Sequence, residues 1–277
     1  MEKLVAWGMD LLARLADWSE LAFALFLFLI QVAVHLLGFR LGQRNRAAHS
    51  GDVEGVGLIV GGILALLAFV LALTLSYANT RFAERRHTAL QEANAIGTAW
   101  LRAEALDHPR AGQIARLLET YIRERKRFLQ TRRASAELQA INDRTSSLQS
   151  EIWGHAAAIS HERPDDVVAS LMRALNEAFD MSTKQRFAHD DRYPPQMFWL
   201  LIGLTLISIA ALGYQLGLKD HRIYTLVGIL IAVWTSIIVV ILDISTPRLG
   251  SIRTGIDVYD WTLSGFKGGI RIPPPPH

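Results

Sequence analysis

The sequence predicts an all-α, polytopic membrane protein with four transmembrane helices and a cytosolic helical bundle inserted between spans two and three. Of its 277 residues, 51% are hydrophobic and only 20% are charged, a composition too apolar for a disordered chain. The apolar residues gather into four blocks without charges, which excludes an ordinary soluble enzyme. The segment between the second and third blocks is rich in Arg, Glu and Asp and shows no strand-like alternation.

Residues 1–20 are predicted to form an amphipathic helix that lies at the membrane interface. Their apolar residues recur at helical spacing, opposite Asp10, Arg14 and Asp17. Glu2 and Asp10 interrupt the segment, and the first long apolar run is a full span. A cleaved signal peptide is therefore not expected.

The four apolar blocks are long enough to cross a hydrocarbon core of roughly 30 Å, at about 1.5 Å per helical residue. Only residues 219–222 separate the third block from the fourth, so these two form a hairpin. The blocks cover residues 21–39, 56–78, 197–218 and 223–242. The predicted domains are 1–20 for the interfacial helix, 21–78 for the first two spans, 79–193 for the cytosolic region, 194–243 for the last two spans and 244–277 for the C-terminal segment.

Lys and Arg residues predict the orientation in the membrane. Four spans place both termini and residues 79–193 on one side, and about twelve Lys and Arg residues flank the spans there, against roughly five in the loops on the other side. We therefore expect a multi-pass membrane protein, in contact with lipid, with cytoplasmic N and C termini.

Four helices are predicted in the cytosolic region. No Gly or Pro lies between Gly62 and Gly97, so the second span can continue out of the membrane to about Leu106 as one helix. The next helix is expected to present a basic, solvated face. The three helices after the first are predicted over residues 111–133, 136–159 and 164–187.

No catalytic or metal site emerges from the sequence. The chain has no Cys, and its nine His residues show no zinc-ligand spacing. We expect no enzyme activity, no catalytic residue, no metal, no cofactor and no nucleic-acid partner. His189, Asp190, Asp191 and Asp243 would offer ligands to a cation near the membrane surface, but a solvated loop is the favoured interpretation.

The second span has no ionisable side chain, so a conduit lined by it would be an apolar constriction. Ala65, Phe69 and Leu73 share one face at a spacing of four. From the residues alone, contact with lipid or with other helices is the favoured interpretation of this face, and the lining of a conduit is the alternative. Gly57 and Gly61, also four apart, favour close helix packing, with the widening of a pore as the alternative for the glycines of this span.

Two further patterns concern polar residues that need partners. Gln31 and His35 are four apart on one face of the first span, where interhelical hydrogen bonds are the favoured role and a proton or ion relay is the alternative. In the cytosolic region, small residues surround Glu92 and Asn94 between residues 92 and 99. We interpret this run as a tightly packed helix interface.

These segments resemble a known family. Residues 75–86 (LSYANTRFAERR) and 92–102 (EANAIGTAWLR) are similar to the signature of bacterial membrane proteins with a bestrophin-like domain, and the stretch with Asp243, Pro247 and Gly250 resembles the C-terminal element of that family. The resemblance covers nearly the whole chain from about residue 20. The cytosolic helix signature comprises Arg81, Phe82, Glu84, Arg86, Glu92, Asn94 and Gly97.

A more distant resemblance is to bestrophin channels, which are pentameric ion channels with a hydrophobic neck lined by the second span. It implies a homo-oligomer, with a pentamer favoured, that passes small inorganic ions. The implied neck residues are Gly62, Ala65, Phe69 and Leu73. Ala83 stands where those channels have a second aromatic residue. No acidic cluster follows span four, so calcium gating is not expected.

The alternative function is a non-conducting membrane scaffold or sensor whose cytosolic bundle binds a partner protein. The Pro273 to Pro276 tail and the basic face over residues 123–133 would serve such a partner.

Overall fold

The computed structural model describes residues 20–46, 53–131, 136–190, 194–245 and 255–270. The described residues form eight helices and no strand. The helices are α1 (Glu20–Asn45), α2 (Val53–Glu104), α3 (Pro109–Gln130), α4 (Ala136–Glu162), α5 (Asp166–Asp190), α6 (Pro195–Lys219), α7 (Tyr224–Ser245) and α8 (Asp257–Phe266). The predicted interfacial helix, Asp191, Pro247, Gly250 and the proline tail lie outside the described residues.

The chain divides into two compact units. The span unit comprises residues 1–80 and 192–251, and the bundle unit comprises residues 81–191 and 252–277. The helix α2 contributes its first 28 residues, 53–80, to the span unit and the remainder to the bundle unit.

Four helices are long and apolar enough to cross a membrane, which confirms the predicted all-α class with four spans. These candidate spans are Leu21–Asn45, Glu54–Glu104, Gln196–Lys219 and Tyr224–Ser245. The first extends six residues beyond its predicted end at Phe39, since Arg40 and Arg44 are good helix formers and their long side chains can reach polar surroundings from an apolar helix.

Local sequence signals position the helix ends of the bundle unit. Pro109 occupies the first turn of α3, and the side chain of His108 accepts a hydrogen bond from the backbone N–H of Arg110. At the start of α5, Asp165 Oδ1 accepts from the backbone N–H of Val168 at 2.9 Å, and this bond lowers the pKa of the Asp165 carboxyl.

The end of α5 differs from the sequence prediction. The helix continues to Asp190, and His189 is buried within it, bonded to Gln185 and 5.9 Å from the Phe128 ring. The predicted solvated loop is therefore wrong for His189, because tertiary packing extends the helix up to the residues just before the two prolines.

The core of the bundle unit is built from apolar faces of α2, α3, α4, α5 and α8. The fully buried side chains of α3 recur three and four residues apart, as expected for an amphipathic helix with one face in a core. The core residues of α3 include Ile114, Leu118, Tyr121 and Ile122, those of α4 include Leu148 and Ile152, and those of α5 include Leu171 and Leu175.

In the span unit, α1 and α6 touch backbone to backbone. A Cβ atom at Gly38 would lie 2.2 Å from the carbonyl oxygen of Ala210, and one at Gly42 would lie 2.1 Å from the carbonyl oxygen of Tyr214. Reciprocally, a Cβ atom at Gly213 would lie 2.3 Å from the carbonyl oxygen of His35, and one at Gly217 would lie 2.2 Å from that of Phe39. Both helices thus carry a pair of glycines four residues apart, and the contacts advance in the same direction along both helices, so these helices are parallel.

This contact is not the one that the sequence suggested. A Cβ atom at Gly61 would have no atom of the described residues within 4 Å, and one at Gly57 would meet only the Gln215 side chain. The Gly57 and Gly61 pair therefore makes no close helix contact within the described chain. A glycine spacing of four occurs in α1, α2 and α6 alike, so spacing alone does not select the helices that approach closely.

Gly217→Ala is expected to destabilise the span unit, because the new methyl group would overlap the Phe39 carbonyl oxygen. Overpacking of this kind costs about 1–3 kcal/mol. Thermal unfolding of the full chain in detergent should show a lower midpoint for this variant.

Gly61→Ala is the matched control, since the methyl group enters open space and alanine is the better helix former by about 1 kcal/mol. Equal midpoints for the two variants would contradict the glycine contact between α1 and α6.

Candidate pore-lining face

Within the span unit, α2 buries one narrow stripe. Val60, Leu67, Leu71, Thr74 and Ala78 are at most 8% exposed and recur at helical spacing. Leu67, Leu71 and Ala78 belong to the apolar cluster that also contains residues of α1, α6 and α7. One side of α2 is therefore fixed against the other spans.

The opposite side of α2 carries the predicted neck residues. Phe69 and Leu73 are 59% and 54% exposed, Ala65 and Gly62 are also exposed, and a Cβ atom at Gly62 would have no neighbour within 4 Å. All four lie on one face, and no charged residue occurs in α2 between Glu54 and Arg81. The helix thus presents an apolar face that the described residues leave uncovered.

Exposed apolar residues occur on every span, but α2 is covered least. In its most apolar window, 17% of the residues are buried, compared with 28% in α1 and 33% in both α6 and α7. The α6 and α7 spans pack mainly against α1, whereas α2 contributes a single stripe.

The first residues of the bundle unit form a cluster of charged side chains on the surface of α2. Arg81 pairs with Glu84 at 3.1 Å, and both side chains are partly exposed. The guanidinium groups of Arg85 and Arg86 each lie 5.9 Å from the centre of the Phe82 ring. Arg81, Phe82, Glu84 and Arg86 are thus neighbours on the surface of one helix.

Further along α2, Glu92 is completely buried and is the centre of a polar network. Arg125 of α3, also buried, donates from Nε to Glu92 Oε1. The Tyr259 hydroxyl of α8 donates to Glu92 Oε2 at 2.6 Å. Both carboxylate oxygens therefore have a partner, as a buried charge requires.

Arg125 and the surrounding hydroxyls make further polar contacts. Arg125 donates to the Ser182 carbonyl at 3.2 Å, and its guanidinium lies 4.6 Å from the Phe128 ring centre. Gln149 donates to the hydroxyls of Tyr121 and Ser182 at 2.9 and 3.1 Å. Four helices besides α2 therefore meet around one ion pair.

This network shifts the protonation of its members. Burial raises the pKa of Tyr121 to about 12, with the Arg125 charge acting in the opposite direction. Burial and the Glu92 carboxylate raise the pKa of Tyr259 well above 10.0. The pKa of Arg125 is raised by the Glu92 charge, which outweighs the effect of burial.

The sequence prediction is partly wrong for this region. Glu92 and most of the small residues of the 92–99 run are buried, but Asn94 is exposed and forms no part of the packed core. A Cβ atom at Gly97 would lie 3.3 Å from the Thr262 methyl group of α8. Arg125, expected on a solvated basic face, is instead the buried partner of Glu92.

Periodicity already places Arg125 on the apolar face of α3, in line with Tyr121, Ile122 and Phe128. The sequence prediction missed this periodicity because it grouped Arg125 with its basic neighbours. The neighbours themselves are charge-paired: Arg123 with Glu119, Lys126 with Asp260, and Arg127 with Glu124 and Glu137. Little unpaired basic surface is therefore left on this helix.

The C-terminal signature is only partly described. Asp243 is 8% exposed near the end of α7 in the span unit, whereas Pro247 and Gly250 lie outside the described residues. Among the residues described, no group of three His, Asp or Glu side chains is arranged to hold a metal ion.

Comparisons with known proteins agree with this architecture. The model of the Bestrophin-like domain matches residues 25–256. Crystal structures of a bacterial bestrophin homologue from Klebsiella pneumoniae are similar in fold: one has a TM-score of 0.63 at 15% identity and covers 89% of this chain and 99% of its own. A tryptophan-to-alanine variant of that homologue has a TM-score of 0.65 at 15% identity, covering 90% and 98%. No curated protein sequence gives a significant match.

Glu92→Ala is expected to destabilise the bundle unit by about 3–5 kcal/mol, because it leaves the Arg125 charge buried without a partner. Glu84→Ala is the matched control, since its ion pair is exposed and worth at most about 1 kcal/mol. Chemical unfolding followed by circular dichroism measures both, and equal effects would contradict the buried pair.

Alkaline titration tests the two buried tyrosines. The unfolded chain releases tyrosine protons near pH 10.0, while the folded chain retains that of Tyr121 to about pH 12, so the free energy of unfolding should fall as the pH rises through this interval. In the ultraviolet absorbance of tyrosinate, Tyr121→Phe combined with Tyr259→Phe should remove a component that titrates above pH 10.0. If the double substitution instead removes an absorbance component that titrates near pH 10.0, the two hydroxyls are accessible to solvent.

Proposed function

Because the chain belongs to the Bestrophin-like domain family, we propose that it is a homo-oligomeric ion channel whose neck is lined by α2. The neck comprises Gly62, Ala65, Phe69 and Leu73 from each copy. A pentamer is the favoured assembly, since the sequence resembles pentameric bestrophin channels. Small inorganic ions pass along the axis, and the protein carries out transport, not catalysis.

The uncovered apolar face of α2 is the observation that supports this proposal. A face that neither packs within the chain nor carries charge has two uses in a membrane, contact with lipid or contact around an axis. Its glycines at positions 61 and 62 have open space around them, and Phe69 and Leu73 supply bulky apolar groups on adjacent turns. Around an axis, such residues form a constriction that gates by size or dewetting.

The proposed setting is a bacterial inner membrane with cytoplasmic termini. The excess of Lys and Arg beside the spans on that side supports the orientation. Residues 79–193 and 244–277, which together hold the Glu92 network, then lie in the cytoplasm. The Arg81–Glu84 pair lies where α2 leaves the neck.

Phe69→Ala and Leu73→Ala are expected to alter conductance or gating of the purified full chain in planar bilayers, because each widens the apolar constriction. Leu226→Ala is the matched control: this α7 residue is 64% exposed, comparable with Phe69 and Leu73, but lies on a different span. It should leave the currents unchanged.

The chain has no cysteine, which allows a direct check of access. In Phe69→Cys and Leu73→Cys variants, a charged thiol reagent should block current, while Leu226→Cys should be insensitive. Absence of current from the wild-type chain, or equal responses at all three positions, would overturn the proposed neck.

A further inference from the structure

The apolar core of the span unit contains a small group of buried polar side chains. Gln31, His35 and Thr235 are 0%, 3% and 4% exposed. Gln31 Nε2 donates to Thr235 Oγ1 at 2.9 Å, which joins α1 to α7, and lies 3.4 Å from the Leu27 carbonyl. For Gln31, this bond agrees with the expectation that polar groups of the first span hydrogen-bond to another helix.

Two polar atoms of this group have no hydrogen-bond partner among the described residues. They are Gln31 Oε1 and His35 Nδ1. The two residues are four apart on α1, so their side chains lie on one face on adjacent turns. A buried polar atom without a partner destabilises a structure, so two of them on one face indicate a site that is completed by something else.

The site adjoins the glycine contact of α1 with α6. A Cβ atom at Gly213 would lie 2.3 Å from the His35 carbonyl oxygen and 3.1 Å from His35 Nδ1. The imidazole therefore rests directly against the backbone of α6 and has little room to turn. Its electrostatic surroundings also include the Ile209 carbonyl of α6, which interacts with the ring.

We propose that Gln31 and His35 form a proton-binding site in the core of the span unit, in which the imidazole takes up a proton and Gln31 Oε1 accepts a hydrogen bond from the resulting cation. A neutral imidazole has one N–H donor and an imidazolium has two. The proposal assigns these two donors to the Ile209 carbonyl of α6 and to Gln31 Oε1, which is on the adjacent turn of α1. The ligand of the site is thus the proton alone.

Few other charged or titratable groups face this site. On α1, Arg40 follows His35 by five residues, and on α6 the nearest is Tyr214. On α7 the titratable residues are Tyr224 and Asp243, near its two ends, and α2 has only Tyr77 between Glu54 and Arg81. The adjoining turns of the described helices carry no carboxylate, so the proposal assigns to the amide of Gln31 the role of stabilising the protonated imidazole of His35.

Substitution of Gln31 should therefore shift proton binding at His35 in opposite directions. In Gln31→Glu the new carboxylate attracts the imidazolium, and proton affinity should rise by at least about tenfold. In Gln31→Leu the acceptor is lost, and proton affinity should fall by about tenfold. The measurement is a pH titration by NMR of the full chain in lipid nanodiscs with ¹⁵N-labelled histidine, with the His35 signal assigned by its loss in His35→Gln.

Gln215→Glu and Gln215→Leu are matched controls, because Gln215 is another glutamine of the span unit and its side chain lies beside Gly57 instead. They should leave the titration of His35 unchanged. Shifts of the same sign in both Gln31 variants, or no shift in either, would overturn the proposal, since general disturbance of the packing does not reverse sign. So would a wild-type His35 that stays unprotonated down to about pH 4.

The readout does not involve ion flow, so a failure here is distinct from a failure of the proposed channel. Melting of each variant, followed by circular dichroism, identifies any that do not fold. The wild-type titration decides the proposal even where a Gln31 variant is lost.

Discussion

The backbone contact between α1 and α6 is the constraint on which the span unit depends. Two glycines on each helix remove the side chains that would otherwise separate the carbonyls of one helix from the Cα atoms of the other. In a membrane, apolar side chains gain nothing by leaving lipid for one another, so close packing of this kind has to supply the association energy. The α7 helix joins the pair through Gln31 and Thr235 and through the shared apolar cluster.

A consequence of this arrangement is the freedom of α2. The α1, α6 and α7 helices bury more of their apolar windows than α2 does. One buried stripe packs α2 against them, and the described residues leave its other face uncovered. In the bundle unit the same helix is held differently, by the buried ion pair of Glu92 with Arg125 and by the hydroxyl of Tyr259. One helix thus combines an apolar, loosely covered half with a half whose buried charge demands fixed partners on α3 and α8.

Sequence patterns predicted the spans and helices well, because charge-free blocks and Pro or Asp signals act locally. They predicted that Glu92 needs a partner but not that Arg125 supplies it, because pairing between residues 33 positions apart depends on tertiary packing. They likewise selected Gly57 and Gly61 over the pairs at Gly38 and Gly213, since a spacing shared by three helices carries no information on which of them touch. The neck residues share a face by spacing alone, but whether that face surrounds an axis depends on other copies of the chain.

The most direct test of the central claim is a structure of the purified assembly in lipid nanodiscs, from which the radius along the symmetry axis is measured. The account predicts that α2 surrounds the axis and that the narrowest point lies at Phe69 and Leu73. A symmetric assembly in which these two side chains face lipid, or in which the axis is lined by α1, α6 or α7, would contradict it.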